Sequence, residues 1–404
     1  MKIIHLADLH IGKVVRDFSM IEDQKYFLDQ IVKIAEKEKI DAVLIAGDVY
    51  DRTIPPEDAV RLFDDFIYKL TQIKTRVLLI SGNHDSDERL NFGSRLFVEN
   101  GVYFCTKFNG QLYKASFEDE FGPINFYLLP FVKASQVRHF YPDEEIDNYD
   151  SAVRCVINNA KINKTQRNII LSHQFVAGKS GDISIGGSES LSTKNVAKTL
   201  EKSEEKEADE PSKSVGLVEC IGYDCFDDFD YVALGHIHKA QRVGRDEIRY
   251  AGAPLKYHAD ETGDDKSVPI VTFNEKGNMD IELRHIKPLR DMRCIKGPMK
   301  QLLDKENVVG VEDYIFVVLT DNDIINDAMT IFRQTYPRTM QIRYENDHTR
   351  ELEMVDPSKF VQMRSFSELI TDFYKQMYND DISEEEMEIM KKIAGKAGIE
   401  NETN

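Results

Sequence analysis

A layered α/β fold is predicted by three features of the sequence: short β-rich apolar runs that stop abruptly at Asp, Asn or His, helical spacing between the first two runs, and a globular composition. The runs are Ile3-Ile4-His5-Leu6-Ala7-Asp8, Ala42-Val43-Leu44-Ile45-Ala46-Gly47-Asp48, Val77-Leu78-Leu79-Ile80-Ser81-Gly82-Asn83-His84, Ile169-Ile170-Leu171-Ser172-His173 and Tyr231-Val232-Ala233-Leu234-Gly235-His236. Near-continuous apolar runs of this length suit strands buried on both faces and covered by helices. Between the first two, Phe27, Ile31, Ile34 and Ala35 recur at helix spacing before the charged exit Glu36-Lys37-Glu38-Lys39. Hydrophobic residues make up 41% and charged residues 30% of the 404 positions, which excludes wholesale disorder, collagen-like repeats and disulfide scaffolds.

At roughly 150 residues per domain, the length predicts two or three domains. Residues 1–280 carry the strand runs. Within them, residues 178–214 turn to Gly, Ser, Glu and Lys and read as a mobile surface excursion. Gly178-Lys179-Ser180 is not a phosphate-cradling loop, because His173 stands where such a loop needs its first glycine, so no ATPase is visible. Residues 281–350 alternate more finely: strands at Met292–Ile295, Tyr314–Leu319 and Met340–Tyr344, with helices at Pro298–Leu303 and Ala328–Phe332, form a small separate α/β unit. Residues 351–404 form a helical tail. No stretch approaches the ~18 consecutive apolar residues of a bilayer span, and Asp8 arrives too early for a signal peptide. The five cysteines, Cys105, Cys155, Cys220, Cys225 and Cys294, are an odd count without a CxxC pair, as expected of reduced thiols in a cytoplasm. The net charge of -19 disfavours general polyanion binding, so any nucleic-acid contact must be local, metal-assisted or shared with a partner.

The ends of the runs carry the chemistry: Asp8-Leu9-His10, Gly47-Asp48-Val49-Tyr50-Asp51, Gly82-Asn83-His84-Asp85, Ser172-His173 and Gly235-His236-Ile237-His238. The carboxyl ends of strands in open α/β sheets converge on one crevice, so segments distant in sequence can supply one site. Each fragment alone is weak, but all of them in this order point to a metal centre. The set holds carboxylates, imidazoles and one amide oxygen without a thiolate, which suits Mn²⁺, Fe²⁺, Zn²⁺ or Mg²⁺. These candidates exceed what one ion needs, so two ions about 3.5–4 Å apart, bridged by a carboxylate, are expected.

These motifs resemble the calcineurin-like metallophosphoesterase superfamily, and in particular its SbcD nuclease branch. The resemblance implies a four-layer metallophosphoesterase sandwich over 1–280, a capping domain over 281–350 and a partner-binding tail over 351–404. It implies two divalent ions, with Mn²⁺ preferred: one held by Asp8, His10, Asp48 and His238, the other by Asp48, Asn83, His173 and His236. It leaves His84 off the metals, donating a proton to the leaving 3′ oxygen or stabilising charge there, as suits an imidazole. Asp51 stands where SbcD proteins also place Asp, which implies a contact fixing the His84 tautomer. The implied activity is 3′→5′ exonuclease action on duplex DNA and endonuclease action on single strands or hairpins, in DNA break processing, recombination and replication. The implied partners are DNA, a second copy of the chain in a homodimer, and an SbcC-type coiled-coil ATPase, with no membrane. Two rival readings remain: a dinuclear phosphoesterase acting on small nucleotides or phosphoproteins, and a non-catalytic DNA-end tether.

Local phosphate contacts need Lys or Arg beside the crevice, and Lys13, Arg16, Arg52, Arg89 and Lys239 flank the motifs, with Arg242 and Lys256 nearby. In the tail, Phe366, Leu369, Ile370, Phe373, Tyr374 and Met377 form an apolar helical stripe opened by a Ser365/Glu368 capping box, a candidate docking surface for the ATPase. A second helix is expected to open at Ser383 with Glu386 and to carry Met387, Met390 and Ile393. His5, His139, His285 and His348 have no ligand-spaced companions and read as structural or surface residues.

Overall fold

The computed structural model describes residues 1–178, 220–345, 370–371, 374, 382–383 and 386–390. The Gly-Ser-Glu-Lys stretch beyond Gly178 therefore lies outside the described residues, as do His348, Ser365, Phe366, Glu368, Leu369, Phe373, Met377 and Ile393.

Each expected apolar run forms a strand, but the strands are shared between two sheets of six strands each. The first sheet runs, edge to edge, Met279–His285, Ser267–Phe273, Lys2–Leu6, Ala42–Ala46, Arg76–Ile80 and Val102–Cys105. Its last four strands are parallel, and Ser267–Phe273 joins antiparallel to Lys2–Leu6. The second sheet runs Gln241–Val243, Arg245–Tyr250, Tyr231–Gly235, Arg167–His173, Gly122–Leu129 and Tyr113–Asp119, again with a parallel centre and antiparallel edges. The site is thus gathered from two sheets rather than from one open sheet.

Side-chain alternation explains the doubly buried strands. Ile3, Ala42, Leu44, Leu78 and Ile80 point between the sheets and meet Phe126, Leu128, Ile169, Leu171, Tyr231 and Ala233 of the second sheet. Their neighbours Ile4, Leu6, Val43, Ile45, Val77 and Leu79 face outward and pack under the helices Ile21–Glu38 and Glu57–Gln72. On the far side, Ile170, Val232 and Leu234 lie under Tyr149–Asn159, with Val137 of Ala134–Phe140 in the same cluster. Helices, sheet, sheet and helices make the four expected layers. The buried His5 is part of this structure, its Nδ1 3.0 Å from the Tyr231 hydroxyl.

The expected strand–helix alternation after residue 290 is present, with strands Met292–Gly297, Tyr314–Leu319 and Thr339–Tyr344 in one three-stranded sheet. By contacts the chain divides into two units, one of Met1–Ile295, Leu303–Val317 and Asp327–Ile342, the other of Lys296–Leu302, Val318–Asn326 and Arg343–Asn404. Within the first unit, the fully buried Asp23 accepts from the Tyr314 hydroxyl at 2.8 Å and from Arg290 Nη1 at 2.9 Å. A buried carboxylate paired in this way ties the long first helix to the segments that follow the sandwich. Within the second unit, Lys296 pairs with Glu345 at 2.8 Å, and the Met299 N–H donates to Asp321 at 2.8 Å. The expected cap at Ser383 is present: its N–H donates to Glu386 Oε2 at 3.0 Å and the Glu386 N–H to Ser383 Oγ at 3.3 Å. No described helix is long and apolar enough to cross a membrane.

Leu44, fully buried between the sheets, supplies a direct check of this core. Leu44→Ala is expected to cost about 2–5 kcal/mol, whereas Val60→Ser, at an exposed position of the second long helix, should stay within about 0.5 kcal/mol. Chemical unfolding of both variants, with equal losses, would contradict the layered packing.

Candidate metal centre

The ligand candidates sit on turns leaving strand ends, and the backbone there is held in rare conformations. Asp8, His10, Asp48 and His236 have positive φ, at 52°, 45°, 50° and 99°. Non-glycine residues in this region carry strain that surrounding structure must hold in place. The restraints are visible. The Asp8 N–H donates to the Gly47 carbonyl at 3.1 Å and the His10 N–H to the Asp48 carbonyl at 3.0 Å, lacing the first two turns together. Gly47, at φ 88°, leaves no room for a Cβ against the His173 ring. At Gly82 the demand is for space rather than for a turn, since a Cβ would collide with the Asp48 carboxylate.

Two groups of donors face one another across Asp48. On one side His10 Nε2 and His238 Nε2 stand 3.1 Å apart, and His10 Nε2 lies 3.7 Å from Asp48 Oδ2. On the other, His173 Nε2 lies 3.4 Å from the same Asp48 oxygen and 3.2 Å from Asn83 Oδ1, which is also 3.2 Å from His236 Nδ1. Asp8, His10 and His238 form one cluster able to hold a cation, and Asp8, Asp48 and His173 another. All seven residues expected as ligands are therefore gathered in one place, with Asp48 between the two groups. Its neighbours Asp8, His10, His173 and His238 are buried, whereas Asn83 and His84 are exposed at the mouth.

The electrostatics suit cations. Asp8 and Asp48 are 0% and 2% exposed, and the ion-pair contacts of Asp48 are to imidazoles rather than to Lys or Arg. Buried carboxylates without a fixed cation are costly, which is the condition a divalent ion relieves. Burial pushes the Asp8 carboxyl above its usual range, with His173 and His238 partly offsetting it. Burial also opposes ionisation of Asp48, but the His173 and His10 rings outweigh it and hold the group well below the ordinary value. His236 is driven down to about 3, chiefly by burial. His173 goes the other way: burial disfavours its charge, but Asp48 raises it to about 9. Its Nδ1 lies 2.7 Å from the Ala46 carbonyl, which can only accept, so Nδ1 carries a hydrogen and Nε2 is the atom left to meet a cation.

The expected contact between Asp51 and His84 exists, but through the backbone. His84 Nδ1 donates to the Asp51 carbonyl at 3.1 Å, while the Asp51 carboxylate takes Lys13 Nζ at 2.6 Å and faces His10 Nδ1 at 3.8 Å. The lysine ammonium claims the carboxylate, and the turn brings the carbonyl to the imidazole instead. The main-chain N–H of His84 donates to Asp48 Oδ1 at 2.9 Å, so His84 is pinned at both backbone and ring.

The basic candidates divide. Lys13 is paired with Asp51, and Arg16 Nη2 donates to Gln341 Oε1 at 2.6 Å. Arg52 and Lys239 are exposed. Arg89 borders a hollow lined by Phe63, Ile67, Phe92 and Phe97, beside the helix Glu57–Gln72. Lys256 is bound to Asp291 and to the Thr262 and Met292 carbonyls, and Arg242 to Asp246.

Three holding residues were not anticipated. Asp85 accepts from the N–H groups of Gly82, Val49 and Tyr50 at 2.9, 3.1 and 3.0 Å, stitching the second turn to the third. Burial, then Asp48, raises its carboxyl to about 6. Gln24 donates to the Leu9 and His10 carbonyls at 3.3 and 2.8 Å and accepts from the Gly12 N–H at 2.9 Å. Tyr257 donates to the Leu9 carbonyl at 2.6 Å. Gln24 carried a signal, as a polar residue on the buried stripe of Phe27 and Ile31. Tyr257 lies outside the strands and helices, where no periodicity marks it as a holding residue. Nearby, burial would raise the Glu261 carboxyl, but the facing His238 ring and Lys266 ammonium bring it down to about 2.

Comparison with known proteins places these residues in context. Residues 1–240 match the family described as calcineurin-like phosphoesterase. Residues 288–378 match the SbcD C-terminal domain, described as the type 5 capsule protein repressor C-terminal domain. Among solved structures, a dimetal phosphatase from Danio rerio is 15% identical, with 71% of this chain and 97% of that chain covered and a TM-score of 0.39. The β-glucosidase BglU from Micrococcus antarcticus is 9% identical, covering 85% and 83% of the two chains at a TM-score of 0.21. Both structural likenesses are too loose to carry weight.

The proton on His173 gives a measurable consequence. A cation that takes Nε2 must displace that proton, so affinity should fall as pH drops below about 9 and level off above it, by at most about tenfold per pH unit. Calorimetric Mn²⁺ titration at pH 7.5 in two buffers of different ionisation enthalpy should count close to one proton released. Binding without proton release would contradict a His173 that is protonated before the cation arrives.

Proposed function

The chain belongs to the calcineurin-like phosphoesterase family and carries an SbcD C-terminal domain, and on that premise we propose that it is the metal-dependent DNA nuclease subunit of a break-processing complex. The two-cation part of this reading rests on the position of Asp48, one of whose oxygens lies 3.7 Å from His10 Nε2 and 3.4 Å from His173 Nε2, and the nuclease part is supported by the SbcD C-terminal domain. A carboxylate reaching two imidazole groups at once is what a shared ligand requires. We assign one site to Asp8, His10, Asp48 and His238, and the other to Asp48, Asn83, His173 and His236, with Mn²⁺ as the favoured ion. When bound, the two cations supply an activated water and neutralise charge on the phosphate oxygens.

The remaining work falls to the protein. Cleavage breaks the bond from phosphorus to the 3′ oxygen as the water oxygen bonds to phosphorus, and the leaving oxygen needs a proton. His84 is exposed at the mouth. With Nδ1–H committed to the Asp51 carbonyl, Nε2 is the ring nitrogen left to deliver a proton to the leaving oxygen. Asp51 acts as a positioning residue, through its carbonyl on His84 and its carboxylate on Lys13. Arg52 and Lys239 form the exposed part of the phosphate-binding rim. Lys13, Arg16 and Arg89 support it at lower weight, because the first two already hold protein partners. With a net charge of -19, such a local rim gives weak, salt-sensitive DNA binding by the isolated chain.

The domain reading is 1–280 for the nuclease, 281–350 for the cap and 351–404 for the docking tail. In the tail, Ile370 and Tyr374 are described, and Tyr374 donates to Glu386 at 2.7 Å. We propose that the stripe they belong to docks an SbcC-type coiled-coil ATPase, which supplies the nucleotide chemistry missing here. A homodimer is supported by Tyr68 and Phe92, 62% and 86% exposed and lining one surface hollow, since large apolar side chains clustered at a surface mark interaction sites. The cysteine pattern supports a cytoplasmic location. A phosphoesterase for small nucleotides or phosphoproteins would use the same centre and is separated from the nuclease by a substrate panel.

Two tests follow from these roles. His84→Gln should keep its cations while losing about 10²–10⁴-fold in degradation of an end-labelled duplex, and Asp48→Asn should lose both; full cleavage by purified His84→Gln would remove His84 from the mechanism. Deletion of residues 355–404 should abolish co-purification with the ATPase and spare Mn²⁺ binding, so an intact complex after deletion would exclude the tail as the docking surface.

A further inference from the structure

We infer that Glu261, clamped by Lys266, is the positioning residue that fixes the His238 ring for its cation, a role that rests on the two-cation reading above. The His238 side chain is buried, with Nε2 aimed at His10 Nε2 3.1 Å away. Its other nitrogen, Nδ1, faces Glu261 Oε1 at 3.6 Å. That distance is long for a hydrogen bond, so the contact is between a carboxylate charge and a ring N–H dipole. A carboxylate only accepts, so it favours the tautomer with hydrogen on Nδ1 and leaves the Nε2 lone pair for the metal.

Glu261 is itself immobilised. It is 1% exposed, and Lys266 Nζ holds its Oε2 at 2.8 Å. The same ammonium donates to the His238 carbonyl at 3.1 Å, so one lysine ties the carboxylate and the backbone of the ligand it faces. Taking this carboxylate and ammonium out of water is costly, and a well-packed apolar pair would hold the segment equally well. The placement is selective: among the described residues His10 Nδ1, on the facing ring, has no hydrogen-bond partner, and it lies 3.8 Å from Asp51. His173 uses the Ala46 carbonyl for the same purpose. Glu261 thus orients one ligand of one site and leaves the other site to its own supports.

The test is Mn²⁺ binding to the full chain, followed by calorimetry and by the electron paramagnetic resonance of the bound ion, with cleavage not required. Wild type should take up two ions. Glu261→Gln, nearly equal in volume, should weaken one of the two binding events by about 10–100-fold and leave the other unchanged. Lys266→Met, which keeps the carboxylate but frees it, should weaken the same event to a smaller degree and serves if Glu261→Gln does not fold. Two unchanged events in either folded variant, or an equal loss at both, would assign the pair a merely structural role and overturn the inference. Failure of wild type to bind cations would overturn the two-cation reading with it. Two bound ions without DNA cleavage would defeat only the nuclease assignment.

Discussion

Two carboxylates buried at the mouth between two sheets set the terms for the rest of this protein. Asp8 and Asp48 are almost fully withdrawn from water, and the groups that meet them are imidazoles and main-chain N–H donors rather than lysine or arginine. Left alone, such a pair would repel and drive protons onto the site. Ringed by five histidines and an asparagine side chain, it becomes a receptor for positive charge. The unusual backbone at Asp8, His10, Asp48 and His236 is the conformational cost of bringing these groups together. Asp85, Gln24 and Tyr257 hold those turns by their carbonyl and N–H groups, as strain at a functional site requires.

Much of the centre was legible because a ligand at the end of a buried strand leaves a simple trace: an apolar run broken by Asp, Asn or His. Asp8, Asp48, Asn83, His173 and His236 all carry it. The division into two sheets left no such trace, since Ile3–Asp8 and Ile169–His173 read alike whichever sheet receives them. Pairing between strands is a long-range property that local pattern does not encode. Asp51 shows a finer limit. Its residue type suggested a carboxylate for His84, but Lys13 occupies that carboxylate and the main-chain carbonyl makes the contact. Glu261 was invisible for a related reason: it lies in a short 3-10 turn at Ala259–Gly263, away from any strand end, and meets His238 only through the tertiary fold.

Under the proposed nuclease role, the same geometry reconciles an acidic protein with a polyanionic substrate. A net charge of -19 repels DNA from most of the surface, so productive contact is confined to the point where cations can be held and to the few basic side chains around it. Such confinement favours selectivity for geometry over general affinity. It also makes a second protein, able to bind and present DNA, a natural complement to the proposed nuclease role.

The proposed centre requires two cations lying either side of Asp48. Anomalous diffraction at the manganese edge, from crystals of the full chain equilibrated with Mn²⁺, tests this most directly. The expected map has two peaks, one among Asp8, His10 and His238 and one among Asn83, His173 and His236, with Asp48 reaching both. A single peak, or peaks remote from Asp48, would contradict it.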